Sequence, residues 1–123
     1  MILVVDDEES ILTAVCHILQ ENNYGVLLAR NGREATILFR ANENRVRLVL
    51  TDIMMPVMGG VELSRVLREI RPGIEIIATT GLHQELDTAE LVAMGVTEML
   101  LKPYEPPDLL AAVRRRLEAK PVV

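Results

Sequence analysis

The chain has 123 residues, half of them hydrophobic, a formal charge of −5 and one cysteine, Cys16. That length suits a single domain, 1–123, with a buried core, and a lone cysteine excludes a disulfide framework and a cysteine-based zinc site. The mild acidity without any long charged block argues against nucleic acid or anionic lipid as a direct ligand, and the short apolar runs argue against a signal peptide or membrane span, so a cytoplasmic domain is expected.

Short β-rich runs alternate with segments of helical period. The first strand is expected over Ile2–Val5, followed by a helix marked by Ile11, Val15, Ile18 and Leu19. Val26–Ala29 is the second strand, and Ala35, Leu38 and Phe39 mark the second helix. Arg47–Thr51 precedes a helix marked by Leu63, Leu67 and Ile70, and Ile74–Thr79 precedes a weaker one marked by Leu86, Ala89 and Ala93. Thr97–Leu101 is the last strand, before a helix carrying Leu109, Leu110, Val113 and Leu117. The strands are near-continuous apolar runs, as expected when a sheet is covered on both faces. Punctuation falls between elements, at Asn31-Gly32, Pro72-Gly73, Gly81, Gly95 and Pro103. Strict alternation predicts an α/β fold with a parallel sheet, whose ligands bind at the carboxyl ends of the strands.

The residues expected at those ends are unusual for so apolar a chain. Strand one ends in Asp6-Asp7, strand three in Asp52, strand four in Thr80 and strand five in Lys102-Pro103, while Arg30-Asn31 after strand two adds nothing obvious. Two like charges about 4 Å apart repel by roughly 4 kcal/mol at an effective dielectric of 20. Three such acids need positive charge beside them. Lys102 supplies one, and hard oxygen donors with room for water suit Mg²⁺, with Mn²⁺ a second option. A carboxylate nucleophile, a divalent cation, an ammonium and a hydroxyl are also the parts that move a phosphoryl group.

Asp6-Asp7, Asp52 with Met55-Pro56 and Gly60 behind it, Thr80-Gly81 and Lys102-Pro103 together resemble the receiver domain of bacterial two-component response regulators and hybrid sensor kinases. Each motif alone is weak; together and in order, over essentially the whole chain, they are specific. The resemblance implies a flavodoxin-like (βα)₅ fold with strands ordered 2-1-3-4-5. It implies that Asp52 accepts a phosphoryl group from a phosphohistidine on a sensor histidine kinase or phosphotransfer protein. Asp7 would ligate Mg²⁺ directly, Asp6 directly or through water, and Asp52 and the Met54 backbone carbonyl would complete the protein ligands. Lys102 would pair with the phosphoryl oxygens, Thr80 would hydrogen-bond to one of them, and a cis Lys102-Pro103 bond would aim Lys102 into the site. Fusion to a kinase or effector domain, and a dimer through the face of the fourth helix, fifth strand and fifth helix, are compatible with it.

Two features depart from that pattern. The family usually carries an aromatic residue three positions before the lysine; here it is Met99, which puts an aromatic switch in doubt. Met54 and Leu82, beside Gly81, would flank the phosphoryl group, and neither can orient an attacking water, so a long-lived adduct is expected.

Other readings stay open. A Mg²⁺-dependent phosphatase acting through an aspartyl phosphate would want a second acid at position 54, where methionine stands. A binding module that keeps only the fold would not need the acids. Asp6-Asp7 also suits a helix start, and Thr80 alone would read as structural. His17 and His83 are expected on the surface, Cys16 in or beside the core, and Arg114-Arg115-Arg116 spread around a helix as a solvated face.

Overall fold

Ile2–Val5 (β1) is buried at all four positions, as a strand flanked by strands and covered by helices must be. In the computed structural model, which describes residues 1–55, 58–81, 93, 96 and 98–118, β1 pairs in parallel with Val26–Ala29 (β2) on one side and Leu48–Asp52 (β3) on the other. Glu75–Thr80 (β4) and Glu98–Leu101 (β5) complete a five-stranded sheet ordered β2-β1-β3-β4-β5. Four helices are described: Glu9–Glu21 (α1), Gly32–Ala41 (α2), Gly60–Ile70 (α3) and the C-terminal helix Pro106–Glu118.

Successive strand residues point to opposite faces, and the core divides accordingly. Leu3, Val5, Val49, Ile76 and Ala78 pack with Ala35 and Phe39 of α2 and with Leu63 and Leu67 of α3. Ile2, Val4, Leu48, Leu50 and Ile77 pack with Leu12, Val15 and Leu19 of α1 and with Leu109, Ala112 and Val113 of the C-terminal helix. The expected apolar stripes therefore hold, although α1 buries Leu12 fully while Ile11 and Ile18 are only partly covered.

Several expectations shift. β3 and β4 each lie one residue later than expected, so Asp52 and Thr80 belong to the strands themselves, because Asp52 pairs with Thr79 and Thr80 with Leu101. Asn31-Gly32 is a helix start: the Asn31 side chain accepts the Glu34 N–H at 2.8 Å and caps α2. Ala93 is helical but exposed, and Val96 is the residue buried nearby. Leu86, Ala89, Gly95 and Thr97 lie outside the described residues.

The turn after β3 is the tightest backbone approach. The Gly60 N–H donates to the Ile53 carbonyl at 2.9 Å. A Cβ at Gly60 would lie 2.6 Å from the Asp52 carbonyl oxygen and 2.8 Å from Ile53 Cα, whereas one at Gly73 would meet nothing within 4 Å. Gly60→Ala should therefore destabilise by about 1–3 kcal/mol, as overpacking does, while Gly73→Ala should be nearly neutral. Urea unfolding of the two variants checks this; equal midpoints would show that the turn has slack.

Candidate functional site

Sheet hydrogen bonding continues one residue beyond the strands and fixes the backbone of the site. The Asp6 N–H donates to the Ala29 carbonyl at 3.1 Å, Ile53 N–H to Thr79 at 3.1 Å, and Lys102 N–H to Thr80 at 2.7 Å. Asp6, Asp52 and Lys102 are thereby brought together from residues 50 and 96 positions apart. The Lys102 ammonium donates to Asp6 Oδ2 at 2.9 Å and to Asp52 Oδ2 at 3.2 Å. The remaining oxygens are also engaged: Asp6 Oδ1 accepts the Glu8 N–H at 2.9 Å, and Asp52 Oδ1 accepts the Met54 N–H at 3.3 Å. Asp6 and Asp52 are 3% and 5% exposed, whereas Asp7 is exposed.

Asp6, Asp7 and Asp52 each offer an oxygen within 4.8 Å of the others. An octahedral cation with bonds of about 2.0–2.1 Å needs ligand oxygens about 3–4 Å apart. A small closure of the three side chains meets that requirement, and hard carboxylate donors match Mg²⁺ or Mn²⁺. The donor set fits a divalent cation, with Asp7 the member facing water.

An acid at the end of β3, acids at the end of β1 and a lysine after β5, meeting on one sheet edge, coincide with a sequence match to the response regulator receiver domain model over residues 2–114. The chain belongs to the response regulator receiver domain family. The alkaline phosphatase synthesis transcriptional regulatory protein PhoP of Bacillus subtilis is 34% identical over 92% of this chain, which spans 46% of that protein. The chain thus covers about half the length of that relative. Protein CcdB of the same organism is 32% identical, and there the match covers 93% of this chain and 94% of the relative. A receiver domain structure from Clostridium thermocellum superposes with a TM-score of 0.88 at 35% identity, covering 94% of this chain and 92% of that one.

In this receiver domain Asp6 has two jobs, since its bond to the Glu8 N–H also shapes the entry to α1 beside its contact with Lys102. The Thr80 hydroxyl is buried and donates to the Gly81 carbonyl at 3.1 Å. The Lys102-Pro103 peptide is cis. Met54 is 59% exposed and Met99 38% exposed, while Pro56, Leu82 and His83 lie outside the described residues. His17 is on the surface of α1, paired with Glu21 at 2.9 Å, and Cys16 is half-buried. In the arginine run Arg114 and Arg115 are exposed, as expected, and Arg116 is partly buried; Arg115 bonds to Glu98, and Arg116 lies 3.4 Å from Glu98 and 3.8 Å from Glu75. Sequence reasoning passed over Tyr104, which packs against the α1-side core two residues beyond Lys102; in so aromatic-poor a chain its position was the available signal.

Burial pushes the Asp52 carboxyl above its ordinary pKa, opposed by the Lys102 charge and reinforced by Asp6. Burial works against the Lys102 ammonium, but its hydrogen bond to Asp6 and the charges of Asp52 and Asp6 outweigh it and raise the pKa. An acid with a raised folded-state pKa favours folding most below its unfolded value, and that advantage is lost as pH rises through the folded value. The Lys102 contribution persists up to the unfolded lysine pKa and disappears only above it. In EDTA, Asp52→Asn should therefore raise the thermal midpoint at neutral pH and remove the gain in stability that the parent shows on mild acidification. Midpoints measured between about pH 4 and 8, around the ordinary carboxylate value, test this; a lower midpoint for the variant throughout that range contradicts it.

Proposed function

We propose that this receiver domain accepts a phosphoryl group on Asp52 from a phosphohistidine of a sensor histidine kinase or phosphotransfer protein. The observation that carries the proposal is the Lys102 ammonium lying between buried Asp52 and Asp6, with Asp7 completing a three-carboxylate cluster. An Asp52 oxygen forms a bond to phosphorus as the phosphorus–nitrogen bond of the phosphoimidazole breaks. The bonding pair returns to the ring nitrogen; with the donor ring protonated on its other nitrogen, a neutral histidine leaves and the product on this chain is an acyl phosphate. Mg²⁺ or Mn²⁺, held by Asp6, Asp7, Asp52 and the Met54 carbonyl, would supply charge neutralisation on the transferring oxygens. Lys102 is already within reach of Asp52 and follows the charge onto the phosphoryl oxygens, one of which would accept the Thr80 hydroxyl proton in place of the Gly81 carbonyl.

The protein is an acceptor rather than a turnover enzyme in this reading. A phosphatase needs an acid to protonate the leaving group, and position 54 carries a thioether. Exposed Met99 and Leu101 on β5, 38% and 54% accessible, support the β5 and C-terminal-helix face as a surface for a second copy.

Treatment with a small acyl-phosphate donor and Mg²⁺ should add one phosphoryl mass to the intact protein. The adduct should vanish in Asp52→Asn and should fall to background in Asp7→Ala or in EDTA. An unchanged adduct in Asp52→Asn removes the acceptor assignment; full phosphorylation in EDTA removes the metal.

The adduct should also be long-lived, because neither Met54 nor Leu82 can hold a water in line with the phosphorus. A well-placed general base is worth about 10²–10⁴-fold, and a flanking amide or carboxylate recovers part of that. Met54→Asn and Leu82→Glu should each shorten the decay without blocking formation. Decay in the double variant no faster than in the parent would place the control of water elsewhere.

A further inference from the structure

Met54 is an exposed thioether at the rim of the acceptor site. The residue is 59% exposed, against 38% for Met99 on β5. Met55 and Met58, which follow it in the turn after β3, pack against the core under α2 and α3. Met1 is also partly covered, and Met94 lies outside the described residues. The backbone holds Met54 in place: its N–H donates to Asp52 Oδ1 at 3.3 Å, while the other oxygen of that carboxylate accepts from Lys102. A solvent-facing sulfur is thus tethered two residues from the carboxylate proposed to carry phosphorus.

A thioether does not ionise, so its reactivity towards two-electron oxidants follows access to the sulfur. With a peroxide, a sulfur lone pair attacks one oxygen and a sulfur–oxygen bond forms as the oxygen–oxygen bond breaks. The departing hydroxide takes the remaining hydroxyl proton and leaves as water; sulfur has lost two electrons to the peroxide, and the product is the sulfoxide. Solvent reaches Met54 without any opening of the fold, whereas a sulfoxide at Met55 or Met58 would set a polar oxygen against aliphatic neighbours. The new oxygen at Met54 is uncharged, so it adds no like charge to the Asp6, Asp7 and Asp52 cluster. It does accept hydrogen bonds, and an acceptor is what position 54 lacks for holding a water beside an acyl phosphate.

On the phosphoacceptor reading above, we infer that Met54 is a peroxide-sensitive modification site whose sulfoxide shortens the life of the phosphorylated state. The sulfoxide orients the attacking water but takes no proton at neutral pH, so the gain is about 3–10-fold, below the roughly 10²–10⁴-fold of a positioned general base. A thiol-dependent methionine sulfoxide reductase returns the sulfur to the thioether, with two thiols oxidised to a disulfide and the oxygen leaving as water. The lifetime of the adduct thereby registers oxidant as well as phosphoryl donor.

Hydrogen peroxide in EDTA, which keeps metal-driven radical chemistry out, should place one oxygen on Met54 before Met55, Met58 or Met99, as read by fragment-ion mass spectrometry. After removal of peroxide and EDTA, the partly oxidised protein is phosphorylated with the acyl-phosphate donor and Mg²⁺. Intact mass resolves the oxidised and unoxidised adducts in one sample, so each decay is followed beside its own control. The oxidised adduct should decay about 3–10-fold faster. Sulfoxide reductase treatment before phosphorylation should restore the slow decay, and Met54→Leu should decay alike with and without peroxide. Oxygen arriving first on another methionine overturns the site. Equal decay of the two adducts, or an oxidised protein that forms no adduct, overturns the effect on lifetime and leaves the acceptor intact. Failure of the untreated parent to form any adduct overturns the acceptor reading and the lifetime effect with it, while the oxygen map still decides the modification.

Discussion

One ammonium holding two buried carboxylates is the interaction on which the site depends. Lys102 lies 2.9 Å from Asp6 and 3.2 Å from Asp52, and both acids are almost fully removed from water. Charges in such surroundings attract or repel several times more strongly than in bulk solvent, so neither acid is tolerable without the cation. The arrangement remains short of positive charge, because three carboxylates face one lysine. That deficit makes the edge receptive to a divalent cation and gives Lys102 a reason to relocate when charge on one acid increases.

The backbone answers the same constraint. Continuing the parallel pairing by one residue past β1, β3 and β5 places Asp6, Ile53 and Lys102 without asking a loop to do so. Because Asp52 lies within β3, its orientation follows from the sheet, and the close pass of Gly60 over its carbonyl keeps the following turn against the strand. Met58, whose side chain lies 2.7 Å from where a Gly32 Cβ would be, ties that turn to the start of α2. A carboxylate carried by a strand and backed by a packed turn is positioned before any ligand arrives, which is the preorganisation that the proposed transfer calls for.

Much of this was legible in the residues. Five apolar runs specify the parallel sheet, and the acids or lysine at the carboxyl ends of the first, third and fifth specify the edge at which chemistry collects. The helical stripes were legible for the same reason: Leu63 and Leu67, or Leu109 and Val113, recur at the spacing that buries one face. What escaped was set by tertiary contact. No local pattern shows that pairing between Asp52 and Thr79 extends β3, or that Arg115 and Arg116 reach Glu98; the Asn31 cap, a contact to Glu34 three residues on, was by contrast available in the local sequence. Tyr104 escaped because its packing depends on the space around it, and space is not written in periodicity.

The division of the interior by the sheet has a further consequence. Two aliphatic compartments lie back to back, one under α2 and α3 and the other under α1 and the C-terminal helix, separated by strand backbones that transmit little lateral displacement. Asp52 and the turn behind it are braced by the first compartment, and Lys102 and Tyr104 are braced by the second. The acidic edge is therefore a bridge over the partition. The Lys102 ammonium, in contact with both Asp6 and Asp52, is the polar link across that rim, where neither greasy interior reaches.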